Sequence, residues 1–283
     1  MNLTVIVLTL NEEVNLPDCL AGVKPLAAEV VVVDSGSNDR TVEIAESYGA
    51  KVVTHPFETQ ARQLNWALDN VPMHGEWVIR LDADERLTPD LAEELRTGLG
   101  TMDAGVTGLY VKRRVFFMGK WVRRGGYYPT WILRIWRTGK ARAEDRPMDE
   151  HMVLSEGRAG KLKHDIWEEN RKGLFHWIAR HNGYARREAQ TVMAPAAADE
   201  VKPSLRGGPV ARRRWLKVKI YGRMPLFVRP VIYFLFRYFI QLGVLDGRQG
   251  LVFHFLQGFW YRFLVDAYIL EARRNRRRGA TPS

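Results

Sequence analysis

Four short apolar runs in the first 90 residues constrain the fold most: "LTVIVLTL", "EVVVVDSG", "KVVTHPF" and "EWVIRLD". Each has strand length and is rich in valine, isoleucine or aromatic residues. Between them lie "NEEVNLPDCLAGVKPLA", "NDRTVEIAESYGA" and "ETQARQLNWALDNV", with apolar residues at helical spacing. The second of these opens at Asn38 or Asp39 and closes near Gly49. Strand alternating with helix predicts a parallel sheet covered on both faces, an α/β fold. Such sheets bind ligands at the carboxyl ends of their strands. That rule selects the loops at 9–12, 34–39, 55–60 and 82–85.

Beyond them "DLAEELRTGLG" reads as a further helix. From Thr107 the pattern changes to "GLYVKRRVFFMG" and "YYPTWILRIWRTG", aromatic strands with glycine-marked turns. They predict a mixed-sheet half that completes the domain. Residues 167–193 read as helical, and "APAAADEVKPSLRGGP" follows as a linker or mobile loop.

"PLFVRPVIYFLFRYFIQLGVLDG" and "GLVFHFLQGFWYRFLVDAYIL" are strongly apolar and aromatic. Neither is a clean span of about 20 uncharged residues. Arg229, Pro230 and Arg237 interrupt the first; His254, Gln257, Arg262 and Asp266 interrupt the second. Arginines and aromatic belts on apolar helices fit helices lying in a membrane interface. The other reading is a helical pair packed on the protein's own core or on a twin subunit. The net charge of +11 points the same way, because the basic runs "ARRRWLKVK" and "EARRNRRRG" flank these helices. An anionic lipid surface is the expected partner, and nucleic acid is not. A single cysteine, Cys19, excludes an internal disulfide framework and predicts a reducing setting. The start, "MNLTVIVLTLNEE", reads as a strand and not a signal peptide.

The loops carry chemistry-bearing side chains. Thr9, Asn11 and Glu12 offer a hydroxyl, an amide and a carboxylate, suited to ribose hydroxyls and a base edge. Asn11 could equally cap the next helix. Asp34 ends a strand of four valines and needs partners for its charge; a uracil or guanine N–H would serve. Ser35, Gly36 and Ser37 make the turn after it. In "RLDADE", Asp82 and Asp84 lie one residue apart, on one side of an extended chain. They can share Mg²⁺ or Mn²⁺ with a diphosphate, and the cation would relieve their repulsion. Their alternative is a surface acidic turn. Glu85 is expected to tie the loop down through Arg80 or Arg86.

Together, "VLTLNEE…VVVDSGSNDRT…RLDADE" resembles family 2 glycosyltransferases of the GT-A fold. "FFMGKWVRRGGYYPTWILRIWRTG", "DRPMDEHM" and "HDIWEEN…WIARHNGYARREA" are similar to the bacterial lipopolysaccharide-core and exopolysaccharide branch, so the resemblance covers about residues 1–190. It implies a donor-binding set of Thr9, Asn11, Glu12, Asp34, Ser35, Asn65 and Asp82, with Asp84 as metal ligand. Many relatives carry Ala-Arg-Asn where this chain has Gln63-Leu64-Asn65; Asn65 matches, Leu64 replaces arginine, and Gln60 or Arg62 is the nearest substitute. Inverting transfer needs a base for the acceptor hydroxyl. Asp149 and Glu150 in "DRPMDEHMV" are the family-matched candidates, with His151 as a further metal or phosphate contact. His164, Asp165, Tyr184, Arg186 and Arg187 are further candidates to line the cleft.

The expected organisation is a GT-A catalytic domain over 1–193, with a nucleotide half to about 100 and an acceptor half from 101. A linker at 194–211 and a membrane-associating helical region at 212–283 follow. The expected activity is metal-dependent transfer of a sugar from a UDP-type donor to a lipid-linked or polysaccharide acceptor at the cytoplasmic face of the inner membrane. A homodimer is compatible with the aromatic helices. The alternatives are a metal-dependent nucleotidyltransferase and a non-catalytic membrane scaffold. Nucleotidyltransferases usually carry a glycine-rich, basic loop after the first strand, and "TLNEEVN" has neither feature. A scaffold has no need of Asp34, Asp82, Asp84, Asp149 and Glu150, all of which stand.

Overall fold

The structure, a computed structural model, describes residues 2–146, 150–194, 204–206 and 209–278. The chain divides into two compact units. The first comprises Met1–Trp121 and Tyr128–Lys172; the second comprises Val122–Tyr127 and Gly173–Ser283.

The first unit opens with β1 (Leu3–Thr9), α1 (Leu16–Val23), β2 (Glu29–Asp34), α2 (Thr41–Ser47), β3 (Lys51–Thr54), α3 (Gln60–Asn70) and β4 (Trp77–Asp82). It continues through β5 (Glu85–Leu87), α4 (Pro89–Gly98), β6 (Val106–Phe117), β7 (Lys120–Val122) and β8 (Thr130–Arg137). It closes with β9 (Ala141–Ala143), β10 (Met152–Leu154) and β11 (Arg158–Glu169). The main sheet has the order β3-β2-β1-β4-β8-β6-β11-β5, with β7 on β6, while β9 and β10 form a separate pair.

β1 is buried at all seven positions and pairs in parallel with β2 and β4. Its period-2 alternation feeds two cores. Leu3, Val5 and Val7 pack with Leu16, Cys19, Leu20 and Val23 of α1. Ile6 and Leu8 pack with Ala61, Leu64 and Ala67 of α3. Helices on both faces explain the uninterrupted apolar runs.

Past β4 the sheet is mixed. β8 runs antiparallel to β4 and β6, β11 is parallel to β6, and β5 is antiparallel to β11. A mostly parallel sheet thus describes only its first half. The helix expected from residue 167 starts later. Trp167, Glu168 and Glu169 belong to β11, where pairing with both β6 and β5 outweighs helical spacing.

In the second unit, α5 (Gly173–Met193) packs Ala185 and Ala189 against Tyr261, Val265 and Ile269 of a C-terminal helix. That contact groups α5 with the C-terminal helices, although the sequence places residues 173–193 in the catalytic half. The remaining helices are α6 (Pro209–Lys219), α7 (Val228–Leu235), α8 (Gly247–Phe253) and α9 (Tyr261–Arg277), with π-helical turns at Phe236–Ile240 and His254–Trp260. Most of the expected linker lies outside the described residues, and α6 begins within its final residues.

His181 of α5 stacks on Trp177 at 3.5 Å and donates from Nδ1 to the Trp177 carbonyl at 2.8 Å. Burial pushes its pKa down to about 4, with the Trp177 bond opposing. The folded value is depressed, so this stabilisation is full above the ordinary value and is lost as pH falls towards 4. Thermal unfolding between pH 7 and 4 should show a fall on the order of 1–3 kcal/mol that His181→Asn flattens. An unchanged pH profile in that variant would refute the assignment.

Candidate active site

The loops at the carboxyl ends of β1, β2, β3 and β4 are stitched together by side chains. Asp34, 1% exposed, accepts from Thr9 Oγ1 at 2.9 Å, Gly36 N at 2.9 Å, Ser37 N at 2.7 Å and Ser37 Oγ at 2.5 Å. The partners its charge requires therefore come from within the chain. Gly36 has φ +90°, a left-handed conformation that costs glycine little and turns both amides onto the carboxylate. Asn11, at φ 55°, donates its N–H to Ser37 Oγ at 2.8 Å and accepts from Asn38 N at 2.9 Å. It ties the first loop to the second. Ser35 Oγ accepts from Gln63 Nε2 at 2.6 Å, which joins the second loop to α3.

Asn65 is bonded through both halves of its amide. Nδ2 donates to the Ala143 carbonyl at 2.9 Å, and Oδ1 accepts from Ala143 N at 3.0 Å. It clips β9 onto α3. Leu64 is fully buried in the core, with Ile6, Leu8, Val31 and Val33 in the same cluster. Of the two substitutes for the missing arginine, Gln60 accepts from Arg80 Nη2 at 3.3 Å. Arg62 pairs with Glu58 at 2.7 Å and Asp145 at 3.1 Å. Asn65→Ala should cost about 1–3 kcal/mol, because the Ala143 backbone groups lose their partner. Chemical denaturation measures this; a loss below 0.5 kcal/mol (roughly the scatter of surface substitutions) would contradict it.

Asp82 and Asp84 do not share a strand face. β4 ends at Asp82, and Ala83-Asp84 form the turn into β5. Asp82 lies between two arginines, with Arg80 Nη2 at 3.0 Å from Oδ1 and Arg134 Nη2 at 2.8 Å from Oδ2. Burial alone would raise its pKa; Arg134 and Arg80 override this and hold it well below the usual carboxylate range. Glu85 is fully buried, accepting from Arg134 at 2.7 Å and from Asp82 N at 3.0 Å. Burial pushes its pKa up, Arg134 opposes, and the charge of Asp82 adds to the rise. Glu85 does secure the loop, but through Arg134 of β8 and not through Arg80 or Arg86. The positive charge expected from a cation is supplied at Asp82 by the protein's own arginines.

Asp84 belongs to a different group. Its Oδ2 accepts from Asn170 Nδ2 at 3.0 Å. Lys172 Nζ lies 2.6 Å from Glu12 Oε1, Asn15 Nδ2 donates to Glu12 Oε2 at 2.8 Å, and Arg171 N donates to Asn15 Oδ1 at 2.9 Å. Burial raises the Glu12 pKa, Lys172 lowers it, and the nearby Asp84 charge raises it. The segment 170–172 thus binds the first loop to the β4 turn. Its recruitment is not legible in the sequence, since 160 residues separate Lys172 from Glu12. Arg134 did leave a signal: a lone charge inside the apolar run "WILRIW".

Of the base candidates, Asp149 lies outside the described residues. Glu150 Oε1 stands 3.9 Å from Arg80 Nη2. Burial raises its pKa and Arg80 counters. His151 Nδ1 lies 3.4 Å from Glu144. His164 pairs with Glu94 at 3.0 Å, and buried Asp165 holds Lys112 and Arg114. Tyr184 lies beneath Arg187 within α5. Among the described residues, no group of three or more His, Cys, Asp or Glu side chains could hold a metal ion. An all-protein metal cage is absent from those residues. A single carboxylate completed by substrate phosphates, the usual manner for Mg²⁺, remains compatible with Asp84.

The family model described as Glycosyl transferase family 2 matches residues 4–157, which hold these loops and Glu150. The chain belongs to glycosyl transferase family 2. Over 171 residues it is 31% identical to the "Lipopolysaccharide core biosynthesis glycosyltransferase LpsC" of Rhizobium meliloti, covering 57% of this chain and 60% of that protein. An uncharacterized glycosyltransferase of Rickettsia bellii is 40% identical over 89 residues, 31% of this chain and 30% of the relative. The chain thus spans less than two thirds of the length of these curated relatives. Among solved structures, S. aureus TarS 1-349 in complex with UDP-GlcNAc is similar at TM-score 0.48 and 16% identity, over 100% of this chain and 93% of that one.

Proposed function

We propose that the chain is an inverting glycosyltransferase that moves a sugar from a nucleotide-diphosphate donor, of UDP type, to a lipid-linked or polysaccharide acceptor of the bacterial envelope. One observation carries the reading within this family: the strand-end loops join into a single edge bearing Asp34, Asp82, Asp84 and Glu12. Thr9, Asn11, Asp34 and Ser35 shape the nucleoside end, and Asp82, fixed by Arg80 and Arg134, faces ribose or diphosphate. Asp84 would hold a divalent cation, which would offset the charge of the leaving diphosphate.

A carboxylate near the acceptor completes the chemistry. The acceptor oxygen bonds to the anomeric carbon as the bond from that carbon to the diphosphate oxygen breaks. The hydroxyl proton passes to the base, Glu150 or Asp149. Burial favours this role for Glu150, since a raised pKa makes a carboxylate a better proton acceptor.

A thermal-shift screen of UDP- and GDP-sugars with Mn²⁺ tests the reading. Stabilisation by one donor class, reduced but not abolished by EDTA, is the expected result. No response to any donor from folded protein would count against it.

The acceptor reading places the second unit at an anionic membrane, on the cytoplasmic face. No single described helix is long and apolar enough to cross a membrane, although Val228–Ile240 and Gly243–Arg277, bent by 69°, pass by length and composition as a pair. Phe236, Phe239, Ile240, Leu245 and Phe255 are exposed, and α9 ends in Arg274, Arg276 and Arg277. Phe239→Asp with Ile240→Asp should lower pelleting with anionic liposomes by about tenfold or more, given roughly 1.5–3 kcal/mol for each buried apolar side chain. Equal pelleting of wild type and variant would overturn the membrane assignment.

A further inference from the structure

We infer that Lys172 is a ligand of the donor's diphosphate, resting on the nucleotide-sugar reading above. The edge that would receive the diphosphate is acidic. Glu12 senses the charge of Asp84, and Asp39 lies close enough to Lys172 to feel its field. A diphosphate entering there meets repulsion unless cations accompany it.

Lys172 is built into that edge. Its side chain is 11% exposed and its Nζ lies 2.6 Å from Glu12 Oε1. Its backbone N–H is fixed by Asn170 Oδ1 at 3.0 Å, while Nδ2 of the same asparagine holds Asp84 at 3.0 Å. One residue earlier, Arg171 N is held by Asn15 at 2.9 Å, and Asn15 also holds Glu12. Lysine and metal-site carboxylate are thus positioned by a single asparagine.

An ammonium has three donors and a flexible stem, so Lys172 can keep Glu12 and turn another N–H towards phosphate oxygen. Its contact with Glu12 would hold the cation in place before the donor arrives. A purely structural ion pair would need only neutralisation of Glu12. A diphosphate ligand would also discriminate between nucleotides with and without phosphates.

Calorimetric titration with UDP, GDP, uridine and guanosine separates these roles, run both with Mn²⁺ and with EDTA. Lys172→Met should raise the Kd of the bound nucleoside diphosphate by about 10- to 100-fold, as expected for a lost charge-assisted hydrogen bond. The Kd of the matching nucleoside should change by less than about threefold, because Thr9, Asn11, Asp34 and Ser35 at its end of the site are held by one another, Ser37 and Gln63. The loss should persist in EDTA, since it does not pass through the metal. Lys172→Arg should recover most of the affinity. Lys172→Gln gives the same comparison if the methionine variant fails to fold.

In a Glu12→Gln background, Lys172→Met should cost as much as in wild type. No cost in that background would show that the lysine only neutralises Glu12. Equal weakening of nucleoside and diphosphate, or of neither, would also overturn the inference. Failure of wild type to bind either diphosphate would overturn the donor reading along with it. Binding of UDP or GDP without a selective Lys172 effect overturns only this inference.

Discussion

Asp84→Ala should lower Mn²⁺-dependent turnover of the nucleotide sugar by on the order of 10³-fold, equivalent to the several kcal/mol a metal contributes. The fold should survive. Asp84 sits in a half-buried turn, and its carboxylate accepts from the neutral amide of Asn170. A stability change of about 1 kcal/mol or less is expected from such a loss. Two measurements check this: donor hydrolysis with Mn²⁺, and thermal unfolding of the same preparations. Equal turnover by both proteins would remove Asp84 from the mechanism. A collapse of stability would make it a structural residue instead.

Arg134→Met should destabilise the first unit by about 3–5 kcal/mol, the cost of breaking a buried ion pair from one side. Arg134 is 7% exposed and contacts both Asp82 and Glu85. Its removal leaves Glu85, fully buried, with a bond from the Asp82 N–H and a neighbouring carboxylate nearby. The melting temperature should fall by about 10 °C, at roughly 2–4 °C per kcal/mol for a domain of this size. Adding Glu85→Gln should recover part of the loss by removing the stranded charge. Arg142→Met is the control: its pair with Asp69 is more than half exposed on both sides and should be worth less than about 1 kcal/mol. Equal losses at Arg134 and Arg142 would refute this account of the buried cluster.

The two variants divide the acidic stretch "DADE" by environment. Asp82 and Glu85 sit with arginines in the sheet, and Asp84 sits with Asn170 near the Glu12–Lys172 pair. From the sequence these residues are near-equivalent charges on one loop. Their separation depends on the turn at Ala83-Asp84, which ends the strand at Asp82, two residues before the second aspartate. Period-2 reasoning needs an extended chain and does not survive that turn.

Asp34 and Asn65 teach a related lesson. Both read as donor contacts, and both are engaged by the chain itself. A short polar side chain at a strand end meets backbone groups on neighbouring loops as well as any ligand, and sequence pattern does not rank these partners.

The amino-acid sequence by itself determined the alternating strands and helices of the first 100 residues and the loops at the carboxyl ends of the strands. It also carried the motifs that match glycosyl transferase family 2. Those features rest on local periodicity and on apolar runs too long for a half-exposed strand. Tertiary structure alone decided which charges meet. The β4–β8 ladder runs to Ile79↔Ile135, so the next residues, Arg80 and Arg134, come side by side and converge on Asp82. The same holds for residues 170–172, brought to Glu12 and Asp84 by β11, and for α5, which packs its alanine face on α9. Such contacts join residues dozens to more than a hundred positions apart. Strand order and register create them, and neither is written in any local window of sequence.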